Sequence, residues 1–78
     1  MELDDLLGEA YRLHQVKMDQ AAALDRLRQA FAEDAELKAA ATKRFREYSA
    51  FQASLRRNAD HVIKVLQPLL AKALSASG

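Results

Sequence analysis

The chain has no cysteine and no tryptophan, one proline, two glycines and only five residues drawn from Val, Ile and Thr. Without cysteine no disulfide can staple a small fold and no thiolate can hold zinc. So few turn formers argue against a loop-rich or all-β chain, and strand formers are equally scarce. No apolar run exceeds five residues, which excludes a membrane-spanning helix. The opening Glu2-Leu3-Asp4-Asp5 is acidic where a secretory leader is basic, and no lipidation motif is present. These absences lead to the expectation of a cytoplasmic protein that does not insert into membranes.

What is present is helical in character. Alanine alone occurs 16 times in 78 residues. A chain of this length is one domain, residues 1–78, and burying about 60% of its unfolded surface leaves it marginal without a staple or a partner. Twelve Lys and Arg stand against eleven Asp and Glu, a net charge of +1. That is too weak for a general nucleic-acid binder, whose pI exceeds about 9.

Apolar residues recur at Leu3, Leu6, Ala10 and Leu13, and again at Leu24, Leu27 and Phe31, in the alternating three-four steps of a coiled-coil seam. That frame puts Lys17 and Gln20 in the middle of the seam, so the stripe must slip toward Val16 and Ala21 or tolerate polar residues. Leu7, Tyr11 and Met18 form a second apolar line beside the first. Gly8 interrupts the pattern at a cost of about 1 kcal/mol relative to Ala. Either the helix begins after it or another backbone packs close to it. The rhythm loosens at Ala32-Glu33-Asp34-Ala35, where Asp34 can cap a new helix. A second, longer helix follows through Leu37, Ala41, Phe45, Tyr48, Leu55, Val62, Leu66, Leu69 and Ala73. Pro68 removes a backbone donor and clashes with the carbonyl of Lys64, so a kink is expected there. Ser75-Ala76-Ser77-Gly78 reads as a disordered tail.

The fold expected from this pattern is all-α: an antiparallel two-helix hairpin with a helix over about 4–32, a turn at about 32–36 and a helix over about 36–74. Near the turn Leu24, Leu27, Phe31, Leu37, Phe45, Tyr48 and Leu55 form the core. The far end is apolar on more than one stripe, and two helices alone cannot cover it. Leu3, Leu6, Leu7, Tyr11, Val62, Ile63, Leu66 and Leu70 are therefore expected at an exposed surface that binds a helical partner, with self-association when that partner is missing.

Residues that carry chemistry are few. His14 and His61, with Asp60 beside the latter, match no metal-binding spacing, and neighbouring residues on a helix do not share a face. There is no phosphate loop and no nucleophile elbow, and Ser49 and Ser54 have no histidine at a usable spacing. Catalytic, metal-binding and cofactor-binding residues are accordingly expected to be absent, and the chain is expected not to be an enzyme. Lys38, Lys43, Arg44, Arg46, Arg56 and Arg57 make a basic stretch interleaved with Phe45, Tyr48 and Phe51. The aromatics fall on the seam and the cations largely off it, the pattern of a solvated face rather than a nucleic-acid helix.

Three stretches carry a family resemblance: Ala23-Leu24-Asp25-Arg26-Leu27-Arg28-Gln29-Ala30, Tyr48-Ser49-Ala50-Phe51-Gln52 and Val62-Ile63-Lys64-Val65-Leu66. In these the chain resembles the small helical-hairpin co-chaperones of the type III secretion needle protein, the YscE-like group. The resemblance implies a cytoplasmic protein that pairs with a larger tetratricopeptide-type chaperone and keeps the needle subunit soluble and monomeric before export. Flanking charges such as Arg12, Arg56 and Arg57 would then supply specificity. Glu47-Tyr48-Ser49, Arg57-Asn58-Ala59 and Val62-Ile63-Lys64-Val65 are also similar to parts of the needle subunit itself. A needle or inner-rod subunit is thus the alternative, and an unrelated homo-oligomeric helical adaptor is a third.

Overall fold

In the computed structural model, residues 2–51 and 57–77 are described, with the side chains of 2–47 and 64–75. The described residues form four helices and no strand: α1 Leu3–Lys17, α2 Gln20–Glu33, α3 Ala35–Phe51 and α4 Arg57–Ser77. The all-α expectation holds; the two-helix hairpin does not. A continuous helix over 36–74 would be about 58 Å long at 1.5 Å per residue, whereas the longest dimension of the molecule is 30 Å. Its radius of gyration, 11.5 Å, is that of a compact chain of this length, about 11.5 Å.

The helix expected over 4–32 breaks at Met18 and Asp19. Met18 turns into the left-handed region at φ 51° and ψ 34°. Asp19 then caps α2, its carboxylate accepting from the backbone N–H of Ala21 at 3.0 Å and of Ala22 at 3.2 Å. Basic side chains in the last turn of α1, His14 and Lys17, suit the negative end of its dipole. The break removes the difficulty of Lys17 and Gln20 in the seam: the seam stops before them and restarts after them.

The second break is where the sequence placed it. Asp34 ends α2, donating its N–H to the carbonyl of Ala30 at 3.0 Å. It also begins α3, its side chain accepting from the N–H of Leu37 at 3.1 Å and its carbonyl from that of Lys38 at 3.1 Å. One residue thus satisfies orphan groups of two helices, which is why no glycine is needed.

With four short helices most of the described apolar residues find cover. The buried residues are Leu3, Leu6, Leu7 and Ala10 on α1, Ala23, Leu27, Ala30 and Phe31 on α2, Leu37 and Ala41 on α3, and Leu66, Leu69, Leu70 and Ala73 on α4. Each set follows helical spacing. Tyr11, Leu24, Phe45, Val65 and Leu74 pack at the margin of this core. Helix α2 is central and packs most extensively on α4 and α1, with α3 laid more lightly against α2 and α4. The expected core residues Leu27, Phe31 and Leu37 are buried, and Leu24 and Phe45 are half-buried. Tyr48 and Leu55 lie outside the residues whose side chains are described.

Helix α4 runs through Pro68. Both Pro68 and Lys64 are exposed, so the Lys64 carbonyl that loses its donor lies on the water side of the helix. The helix also continues to Ser77, where a disordered tail was expected; Ser75-Ala76-Ser77 holds no breaker. Gly8 departs from both expectations, since α1 begins at Leu3 and, apart from its chain neighbours and the backbone of its own helix turn, no atom lies within 4 Å of where a Cβ would stand.

Two outcomes test this packing. Gly8→Ala has room for its methyl and raises stability by about 0.5–1 kcal/mol, read as a thermal midpoint about 4–8 °C higher for each kcal/mol gained. Leu27→Ala, at a fully buried position, lowers stability by about 2–5 kcal/mol. A melt unchanged from the parent in either variant contradicts the packing described.

Candidate functional site: the corner between the first two helices

The surface expected to bind a partner is largely absent. Leu6, Leu66, Leu70 and Leu7 are 0–3% exposed, Leu3 is 8% exposed, and Tyr11 is half-buried. They form the middle of the core because α1 folds back onto α2 and α4, which a hairpin does not permit. Val62 and Ile63 lie outside the residues whose side chains are described. A charge introduced at Leu7 would therefore unfold the domain rather than report on a docking surface.

Among the described residues, the large apolar side chains left in water are elsewhere. Val16 is 81% exposed and Met18 is 83% exposed. Beside them Glu9, Arg12, Leu13, Val16 and Lys17 line a shallow, open groove of about 270 Å³. Its apolar floor, Leu13 and Val16, is flanked by the cations Arg12 and Lys17. The sequence held both apolar residues, but their exposure follows from the break at Met18, which turns the end of α1 away from the core.

Next to this corner Glu9 on α1 pairs with Arg26 on α2 at 2.9 Å. The hydrogen bond from Arg26 holds the Glu9 carboxyl below its ordinary value near 4.5; partial burial opposes this, and the positive charges of Arg26 and Arg12 reinforce it. The same bond raises the pKa of Arg26. Gln15 donates to the Tyr11 hydroxyl at 2.7 Å.

The basic stretch is partly neutralised within the fold. Arg44 reaches Asp4 at 2.7 Å, tying α3 to the start of α1, and Lys43 lies 3.9 Å from Glu47. Arg46 is exposed. Arg56 and the side chain of Arg57 lie outside the described residues. A second open groove of about 310 Å³ runs between the starts of α1 and α3 beside Asp4 and Arg44. Among the described residues no group of three His, Cys, Asp or Glu is placed to hold a metal ion; His14 is half-buried and the His61 side chain is not described. No described helix is long and apolar enough to cross a membrane.

No family model, curated protein or solved structure matches the chain.

The Glu9–Arg26 pair gives a pH signature. A carboxylate whose pKa is lowered by folding stabilises the fold above its unfolded value, and that contribution disappears as the pH falls through the folded value. The pair is partly exposed, so its contribution is under about 1 kcal/mol. Wild type and Glu9→Gln therefore differ by that small amount at neutral pH and converge below the ordinary carboxylate range. Paired urea melts at the two pH values measure it, and a gap that persists in acid contradicts the assignment.

Proposed function

We propose that the chain works by binding another protein and performs no chemistry of its own. More specifically, we read it as a cytoplasmic co-chaperone that joins a larger tetratricopeptide-type chaperone to keep a type III secretion needle subunit monomeric. The observation that carries the binding role is the exposed corner. A domain that buries Leu3, Leu6, Leu7, Leu27, Phe31, Leu37, Leu66, Leu69 and Leu70 leaves Val16 and Met18 in water, with Val16 beside Leu13 in the groove, and exposed apolar groups brought together on a small monomer mark interaction sites. Arg12 and Lys17 flank the corner and favour a helix with acidic residues beside its apolar stripe. What supports the more specific reading is the likeness at Ala23–Ala30, Tyr48–Gln52 and Val62–Leu66. The four-helix arrangement departs from the hairpin of that family, so the support comes from those residues and not from the fold.

Purification of the tagged chain from its native host tests this. A larger tetratricopeptide-type protein together with a small helical needle subunit is the expected catch, identified by mass spectrometry. The double variant Val16→Asp, Met18→Asp changes only exposed positions, so it keeps its helicity by circular dichroism and loses both partners. Filaments formed by the purified chain alone would make it a needle or rod subunit instead. Partners retained by the double variant would move the binding surface elsewhere, and recovery of nucleic acid would replace the protein-binding reading altogether.

A further inference from the structure

The junction between α1 and α2 combines three features that a simple turn does not need. It is two residues long, and Met18 adopts φ 51° there without being glycine, a conformation that side-chain-bearing L residues avoid. Every residue from Val16 to Ala23 is compatible with a helix, and Ala21, Ala22 and Ala23 are the strongest helix formers. Finally, Val16 and Met18, the exposed large apolar residues among those described, sit at or beside this junction. The local preference of the segment is thus one continuous helix from Leu3 to Glu33, about 46 Å long. It is overruled by the burial of Leu3, Leu6, Leu7 and Ala10 and by the Asp19 cap.

We propose that the junction is a hinge through which two copies of this chain exchange their first helices. If α1 straightens onto α2, it vacates a slot whose shape and apolar stripe fit α1 alone, and a second copy supplies that helix. Every contact of α1 is then remade between chains: Leu6 and Leu7 re-enter a core, Glu9 meets the partner subunit's Arg26, and the partner subunit's Arg44 meets Asp4. The exchange releases the left-handed residue in both chains. It also brings the two straightened hinges together near the dimer axis, where Val16 and Met18 are covered by their symmetry mates. Strained short connections of this kind favour exchange. The occupant of the slot is a second copy because the slot is complementary to α1 in length, stripe and charge.

The test is the oligomeric state of the purified chain after refolding from denaturant at increasing protein concentration, read by light scattering. Met18→Gly relieves the left-handed residue and weakens the straight helix, so it raises the dimer dissociation constant by about tenfold per hinge and about a hundredfold per dimer. Asp19→Ala removes the cap that exists only in the folded-back form and lowers that constant by about tenfold or more. Met18→Ile keeps the cap and moves the equilibrium the same way, so a loss of folding in one variant leaves the other to decide. Exchange is separated from an ordinary surface dimer by charge reversal in the Asp19→Ala background. Glu9→Arg and Arg26→Glu chains, each mismatched alone, form a heterodimer on mixing because both ion pairs are restored across the chains. The inference is overturned if Asp19→Ala and Met18→Ile are no more dimeric than Met18→Gly at the highest soluble concentration. It is equally overturned if dimers form without preference for the charge-matched pairing.

Discussion

An apolar stripe on a helix has to be covered, and in 78 residues there is little material to cover it with. The folded chain exposes 5171 Å², so about 60% of the surface of the unfolded chain is buried. Two long helices cannot reach that figure, because the second apolar line of α1 and the leucines of α4 would have no facing layer. Two aspartates solve the problem. Asp19 and Asp34 supply capping acceptors at the points where the chain reverses, and the resulting short stripes close around Leu6, Leu27, Leu66 and Leu70, each at most 2% exposed. Capping contributes only about 1 kcal/mol at each site, while burial of the leucines contributes about 1.5–3 kcal/mol apiece. The caps therefore select the arrangement and the leucines stabilise it.

The difference between the two aspartates explains how much of the fold is legible in the sequence. Asp34 stands where the apolar rhythm loosens, so composition and pattern agree and the turn at 32–36 can be read directly. Asp19 stands ahead of three alanines and behind a methionine, in a stretch whose local preference is helical throughout. The only trace of the break is the arrival of Lys17 and Gln20 in the seam, which a slipped stripe explains as well. Missing this one break changes the role of every residue on α1. Leu3, Leu6 and Leu7 pass from an expected docking surface to the core, and Val16 and Met18 pass from the stripe to water. The core near the Asp34 turn was legible because Leu27, Phe31 and Leu37 lie where either topology buries them. The candidate corner was not, because its exposure is a consequence of tertiary packing alone. Gly8 and the Ser75-Ala76-Ser77 segment carry the same lesson: weak local signals give way to a helix that is anchored by leucines on one side of them.

The charges act on register more than on stability. Glu9–Arg26 joins α1 to α2 and Asp4–Arg44 joins α1 to α3, each pair partly exposed and so contributing under about 1 kcal/mol. Together they fix the rotation and height of α1 against its neighbours at both of its faces. They also consume Arg44 of the basic stretch, while Lys43 has Glu47 nearby, leaving less free positive charge on α3 than the sequence suggests. This weakens the case for an electrostatic surface and shifts attention to the apolar corner beside Arg12 and Lys17.

That corner is also where the fold is least committed. A domain of this length has a net stability of about 4–12 kcal/mol, and a left-handed residue other than glycine costs about 1–2 kcal/mol. Strain at Met18 is therefore a sizeable share of what keeps α1 docked, and it acts at the same place where apolar surface remains uncovered. Relief of the strain and cover for Val16 and Met18 call for the same movement, a straightening of the junction, so the two energies add rather than compete. The opposing force is the burial of four residues on α1, and this force is unchanged if the slot is refilled by an equivalent helix. What separates the folded-back chain from a two-chain arrangement is then the Asp19 cap, made only in the folded-back form, together with the entropy of association, which rising concentration offsets.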